Sequence, residues 1–480
     1  MKNQTIVVLA DSFLVYACGS LKPDEKPNFL FIFADDHSYK AVGYNGNDVV
    51  QTPHIDQLAA EGIFFNNAYN MGGWHGAVCV ASRTMLNTGR TIWRAMQSEP
   101  VLDSLADAGQ FWSQILASNG YETFFTGKWH VKVDPEKLFH HVRHVRPGMP
   151  GTVPEAYNRP LEGQPDPWSP CDTSMGGFWE GGKHWSEVVA DDAVDYLQIA
   201  ARGDKPFFMY IAFNAPHDPR QSPQEYVDIY PVEEIPLPAS FLPEYPYKEP
   251  MGCPPGLRDE NLAPFPRTPF AVKTHRAEYY AIITHLDNQV GRIISELENQ
   301  GLAENTYIIY SADHGLACGE HGLMGKQNMY EHSMKPPLII AGPGIDPGTS
   351  SDLMVYLQDI VPTTLEISGI QKPGYVEFNS LWPHINKGES PETNFKTIYG
   401  CYMDRQRMIR DDQYKLIAYP RAGVVRLYHL ENDPSELNDL AGEEDQKIRI
   451  AEMLEELEKK GNSLDDTLII RDYFTEAGGY

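Results

Sequence analysis

The chain has 480 residues, 42% of them hydrophobic, enough to bury a large core. That length suggests roughly two to four domains, or one large α/β domain with a smaller appendage. The formal charge is −27, from 39 basic and 66 acidic residues. Nucleic acid is excluded as a partner class, because phosphate binding needs a basic face. An anionic small ligand must be met by positive charge gathered locally.

In chain order, the first element is a leader. Lys2 precedes apolar stretches over residues 6–10 and 13–17, interrupted by Asp11. The run is too short to span a bilayer and right for a signal segment. It ends Ala17-Cys18-Gly19-Ser20, which resembles a bacterial lipoprotein processing site with Cys18 bearing the lipid. Ordinary signal cleavage nearby is the alternative. The expectation is an exported protein, periplasmic or at the outer membrane, touching membrane only through that anchor.

Four apolar runs then read as buried strands of a parallel sheet: residues 28–34, 121–126, 206–213 and 306–311. Helical patterns lie between them, at 55–61, 105–118, 187–200 and 274–300, the last closed by Gly301. This alternation predicts a doubly wound, mostly parallel sheet, in which ligands bind beyond the carboxyl ends of the strands. The four runs end in Asp35-Asp36, in Lys128-Trp129-His130, in His217 and in Asp313-His314. Polar residues at loop starts explain a Gly or Asn there. They do not explain an ionisable or ligating residue at all four.

Residues 231–269 are Pro-rich and read as a long surface insertion. From about residue 358 the character changes to a short helix (360–368), four short antiparallel strands (396–402, 407–410, 414–419, 426–430) and an acidic terminal helix (448–460). The expected division is 1–25 leader, 26–385 main α/β domain and 386–480 a smaller α+β subdomain.

Residues 79–90 read Cys-Val-Ala-Ser-Arg-Thr-Met-Leu-Asn-Thr-Gly-Arg. This resembles the signature of the type I sulfatases, Cys-x-(Pro or Ala)-Ser-Arg followed by Thr-Gly-Arg. The resemblance covers nearly the whole chain. Asp35-Asp36, Thr52 to Asp56, Gly127 to His130, Asp313 to Gly315 and the tail Leu427 to Leu440 fall in family order. It implies an alkaline-phosphatase-like fold, hydrolysis of sulfate esters on sulfated carbohydrate, and oxidation of Cys79 to formylglycine by a maturase. It also implies calcium (Ca2+) among Asp35, Asp36, Asp313, His314 and modified Cys79. Two departures stand out: Ala81 replaces the commoner Pro, and His314 stands where many members carry Asn. An imidazole nitrogen is softer than the oxygens calcium prefers.

The chemistry explains the residue types. A serine would become a sulfate ester slow to hydrolyse. A formylglycine hydrate has two hydroxyls on one carbon: one attacks sulfur, and the other loses its proton to expel sulfate and restore the aldehyde. By the same resemblance, Asp313 is the base for the attacking hydroxyl and Arg83 orients the nucleophile and metal carboxylates. Lys128 and Lys326 grip sulfate oxygens. His217 protonates the leaving alkoxide, and His130 takes the second hydroxyl proton. His75, beside Trp74, lines the pocket or packs. With Cys18 and Cys79 set aside, Cys171, Cys253, Cys318 and Cys401 form two disulfides or stay free.

The densest basic run is His140 to Gly148, shortly after Lys128. Its Arg143 and Arg146 offer planar forks to carboxylate or sulfate groups of a glycan, or are simply a solvated charged loop. Two other functions compete with sulfate-ester hydrolysis: a phosphonate or phosphodiester hydrolase of the same superfamily, and a non-catalytic glycan-binding protein with Cys79 unmodified.

Overall fold

The computed structural model describes residues 26–388 and 396–474; the leader and Cys18 lie outside the described residues. Strand β1 (Asn28–Ala34) is buried along its whole length. It sits inside an eight-stranded sheet with β2 (Ile63–Tyr69), β3 (Glu122–Lys128), β4 (His141–Arg146), β5 (Phe207–Ala212), β6 (Thr306–Ala312), β7 (Leu338–Ala341) and β8 (Thr349–Tyr356). The order is β8-β2-β7-β6-β1-β5-β3-β4. Neighbours run parallel except at β7, which is antiparallel to both β6 and β2.

Seven helices frame the argument: α1 (Pro53–Glu61), α2 (Val78–Thr88), α3 (Trp112–Ser118), α4 (Trp185–Ala200), α5 (Pro269–Asn299), α6 (Ile360–Ile367) and α7 (Lys447–Ser463). Alternate β1 side chains serve the two faces. Phe29, Phe31 and Phe33 share a core with Trp112 of α3 and Ile360 of α6. Leu30, Ile32 and Ala34 share one with Leu58 of α1, Val189 of α4 and Ile282 of α5. A strand covered on both sides has no polar face, so its sequence runs apolar without alternation. The register sets Ala34 opposite Ala312, so β1 and β6 end level and Asp35 and Asp313 emerge side by side.

A smaller antiparallel sheet follows, of β9 (Ile398–Tyr402), β10 (Gln406–Arg410), β11 (Tyr414–Tyr419) and β12 (Val424–His429). Gly72–Gly73 adds to its β9 edge in parallel, just before α2. Gly72 has φ 93°, and a Cβ there would lie 1.8 Å from the Cys401 carbonyl oxygen, so only glycine fits. The chain leading into the Cys79 helix is thereby fixed to the C-terminal sheet.

That sheet is also pinned by buried charge. Lys415, with no exposed side-chain surface, donates to Glu331 at 3.0 Å and Glu436 at 2.7 Å, and Glu436 accepts the Glu331 backbone N–H at 2.8 Å. Glu436 is thus the reason for the acidic residue two places after Asp433-Pro434-containing turn. Breaking such a pair leaves an unpaired buried charge, which costs about 3–5 kcal/mol. Lys415→Ala should lose about that much stability by urea unfolding; a change under about 1 kcal/mol would mean the network is solvent-relaxed.

Several expectations are corrected. The single helix expected over residues 105–118 is two, Leu102–Asp107 and Trp112–Ser118, because Gly109 turns left-handed (φ 70°) between them. Helix α5 starts earlier than residue 274, with Pro269 in the first turn and the Thr268 side chain accepting from Ala271 N. The basic run is the edge strand β4, not a loop. Cys171, Cys253, Cys318 and Cys401 are all free. Among the described residues, no helix is long and apolar enough to cross a membrane.

Candidate active site

Four strand ends and one helix start converge on one buried cluster. Asp35 and Asp36 follow β1, Lys128 ends β3, His217 lies past β5, and Asp313 and His314 follow β6. Cys79 is in the first turn of α2, where unpaired backbone N–H groups favour negative charge. The motif around it is legible in contacts. Ser82 Oγ donates to the Asp313 carbonyl at 2.8 Å, and Arg83 Nε to the Asp313 carboxylate at 3.0 Å. Arg83 also donates to the carbonyls of Lys128 (2.8 Å) and Ala34 (3.4 Å), tying the ends of β3 and β1 together. Gly89, with φ 67°, ends α2 by donating to Met85 O, so the Thr-Gly-Arg part of the motif is a helix stop.

The Cys79 Sγ is 3.3 Å from His130 Nδ1. Lys128 Nζ pairs with Asp35, and Lys326 Nζ with both Asp36 oxygens at 2.9 and 2.7 Å. His217 Nδ1 donates to the Asp218 carbonyl at 2.7 Å, which leaves Nε2 facing Asp36 at 3.7 Å. All seven of these side chains are nearly inaccessible apart from His130. Asp36 and His130 hold left-handed backbones (φ 67° and 58°), strain of a kind that collects at functional sites.

Burial opposes ionising Cys79, but the Lys128 and Lys326 charges and the hydrogen bond from His130 draw its pKa well below the ordinary thiol range. The Asp313 and Asp35 carboxylates shift in opposite directions. Burial resists charge on Asp313, yet His314, Arg83 and Lys128 hold it well below the carboxylate range. Burial and the Asp313 charge push Asp35 well above it, against Lys128.

Ligand atoms of Asp35, Cys79, Asp313 and His314 all lie within 4.8 Å of one another, as do those of Asp35, Asp36 and His217. Asp35 Oδ1 and His314 Nε2 are buried without a hydrogen-bond partner. His314 Nδ1 lies 2.9 Å from the Gly315 carbonyl; donating there turns Nε2 into the cluster. Orphaned acceptors among three carboxylates fit a divalent metal ion. His75 stands nearby at 4.0 Å from Glu99, its pKa lowered by burial.

Arg143 and Arg146 are not brought into this cluster. Arg143 pairs with Asp195 at 2.6 Å over the Tyr196 ring, and Arg146 with Glu180 at 2.5 Å over the Trp185 ring. Sequence reasoning missed Asp218, Arg258, Asp259 and Gln327, which surround His217 and Lys326. Asp259 Oδ2 accepts from Gln327 Nε2 at 2.8 Å and lies 3.8 Å from Lys326. Nothing in the Pro-rich stretch marks that approach.

Residues 27–370 match the family model described as Sulfatase, and residues 319–463 the model described as N-sulphoglucosamine sulphohydrolase, C-terminal. The chain is 29% identical over 471 residues to an arylsulfatase of Clostridium perfringens, across 88% of this chain and 92% of the relative. It is 28% identical over 499 residues to an ulvan-active sulfatase of Formosa agariphila, across 99% and 90%. A solved structure in complex with its substrate D-glucosamine-2-N,6-O-disulfate shares the fold, with a TM-score of 0.71 at 23% identity over 94% of this chain and 100% of that one. With the family model spanning most of its length and the signature helix built into the cluster, the chain belongs to the sulfatase family of sulfuric ester hydrolases.

Proposed function

We propose that this enzyme removes sulfate from sulfated carbohydrate, using formylglycine made from Cys79 by a maturase and a calcium ion at Asp35, Asp36, Asp313 and His314. The observation that carries the reading is Cys79 itself, in the first turn of α2, against His130 and between two buried lysines. Its Sγ stands in for the hydroxyls of the hydrated aldehyde. The bound cation supplies charge neutralisation at the sulfuryl oxygens and lowers the pKa of a coordinated hydroxyl.

The chain's own groups do the rest. Asp313 accepts the proton of the attacking hydroxyl as the S–O bond to the nucleophile forms. Lys128 and Lys326, fully buried and paired only with carboxylates, are preset to hold sulfate oxygens. Burial and the Lys326, Lys128 and Arg258 charges hold resting His217 neutral, with its proton on Nδ1, so it must first take a proton from solvent at Nε2. As the imidazolium it delivers that proton to the ester oxygen while the S–O bond to the leaving group breaks. His130 then takes the proton of the second hydroxyl, sulfate leaves, and the aldehyde returns. The leader read at residues 1–25 supports an exported enzyme acting on extracellular glycan.

Mass analysis of the tryptic peptide containing residue 79, from protein made with a maturase, tests this directly. The expected mass is that of the cysteine peptide with its CH2SH side chain converted to CHO, or to the hydrate CH(OH)2. Fully active enzyme with an intact Cys79 thiol would overturn the mechanism.

A further inference from the structure

The Pro-rich segment delivers a guanidinium to the proposed proton donor. Arg258 Nη2 lies 3.3 Å from His217 Nε2 and donates to Asp259 Oδ1 at 2.6 Å, while Nη1 donates to Asp218 Oδ2 at 2.5 Å. The support behind it is fixed. Glu260 accepts the backbone N–H groups of Met324 and Gly325 at 3.2 Å and pairs with the buried Arg267 at 2.6 Å. The segment is therefore locked to the loop that carries Lys326. The side chains of His217, Asp218 and Asp259 are 3%, 6% and 4% exposed, but Arg258 keeps 31%. The guanidinium is the open face of a buried, ordered cluster. Half-buried Tyr157 comes from the separate segment between β4 and α4, which is bound to the Arg258 segment by Asn158 N–H donating to the Asn261 carbonyl at 2.7 Å and Arg159 N–H to the Leu262 carbonyl at 3.1 Å.

Position and charge together define what this face can take. His217 Nε2 is the atom that serves the ester oxygen, so the atoms next to Arg258 belong to the leaving group. Two carboxylates already balance the guanidinium, so a second anion gains little Coulombic attraction there. With Nη2 committed to Asp259 and His217 and one Nη1 proton to Asp218, the Nε–H and the second Nη1 proton remain, and these donors and the phenol suit neutral hydroxyls. We propose that Arg258, with Tyr157, forms a subsite for hydroxyl groups of the sugar ring that carries the scissile sulfate. It selects sugar sulfates over aryl sulfates. The inference rests on the sulfated-carbohydrate reading above.

The test compares Arg258→Ala, Arg258→Lys and Tyr157→Phe with the wild type on monosaccharide sulfates of glucosamine and galactose and on 4-nitrophenyl sulfate. The quantity read is the ratio of sugar to aryl kcat/KM. Losing a hydrogen bond to a charged donor costs about tenfold or more in binding. Arg258→Ala should therefore raise KM for the sugar sulfate about tenfold and lower the ratio by a similar factor. Arg258→Lys keeps the charge without the two spare N–H donors, so the ratio should stay low. Tyr157→Phe, which removes only a hydroxyl, should lower the ratio about threefold or more. Equal losses on both substrates in both Arg258 variants, with an unchanged ratio in Tyr157→Phe, would make Arg258 a mere prop for His217 and sink the subsite. A wild-type enzyme that hydrolyses 4-nitrophenyl sulfate but none of the sugar sulfates overturns the carbohydrate reading and this subsite together. That result is visible before any substitution is made.

Discussion

Replacing Cys79 by Ala is expected to lower turnover of an aryl sulfate by roughly four orders of magnitude or more, equivalent to about 5.5 kcal/mol of transition-state stabilisation. Aryl sulfate is the right substrate because its leaving group needs little help from His217, so the loss reports the nucleophile. The fold should survive. Cys79 is in a helix whose other residues pack independently, and the substitution removes a single buried atom. Its polar contact is with His130, which keeps a left-handed backbone under the Gly148 loop; a Cβ at Gly148 would lie 2.2 Å from the His130 ring. The melting temperature should move by a few degrees at most, about 1 kcal/mol at this size. Cys79→Ser should be equally inactive where only a cysteine-type maturase is present. Measurable turnover in Cys79→Ala near the wild-type rate would falsify a nucleophile at this position.

The fold was most readable where burial was complete. Strand β1 matches the apolar run residue for residue, and β5 and β6 lie within one residue of theirs, because strands covered on both faces write an unbroken apolar signal. The sequence offers less at the rims. Strand β8 (TSSDLMVY) is half-exposed, and β4 (HVRHVR) has no buried residue, so neither carries the apolar run that identifies a strand. The basic character of β4 suggested a pocket loop, whereas its arginines face acidic and aromatic residues of α4 and its approach. The candidate site was legible because its residues sit at strand ends and in a spaced motif. Arg258 and Asp259 were not, since they approach through a loop with no periodicity, and tertiary contacts such as those of Glu260 with Met324 and Gly325 and of Asp259 with Gln327 fix where they arrive.

Asp313→Asn should abolish both metal binding and turnover. Asparagine is the informative replacement, because it keeps an acceptor for Arg83, which has no exposed surface and would otherwise be left as an unpaired buried charge. What Asn removes is the negative charge. Burial and the Asp313 charge push Asp35 well above the usual carboxylate range, while His314, Arg83 and Lys128 hold Asp313 below it despite burial. A cation entering here must displace the Asp35 proton, so affinity should rise with pH until Asp35 is ionised, and fall as acid restores that proton. In the wild type, calcium at about 100 times its dissociation constant should stabilise the fold by about 2.7 kcal/mol, seen as a rise in melting temperature. Asp313→Asn should show no such rise, and its turnover should fall by about a thousandfold or more, the scale expected when charge stabilisation and nucleophile activation are lost together. Exhaustively chelated wild-type enzyme should behave the same way and recover on adding calcium. If the chelated enzyme kept its full rate, the cluster of Asp35, Asp36, Asp313 and His314 would have to act without a metal, through the lysines and Arg83 alone.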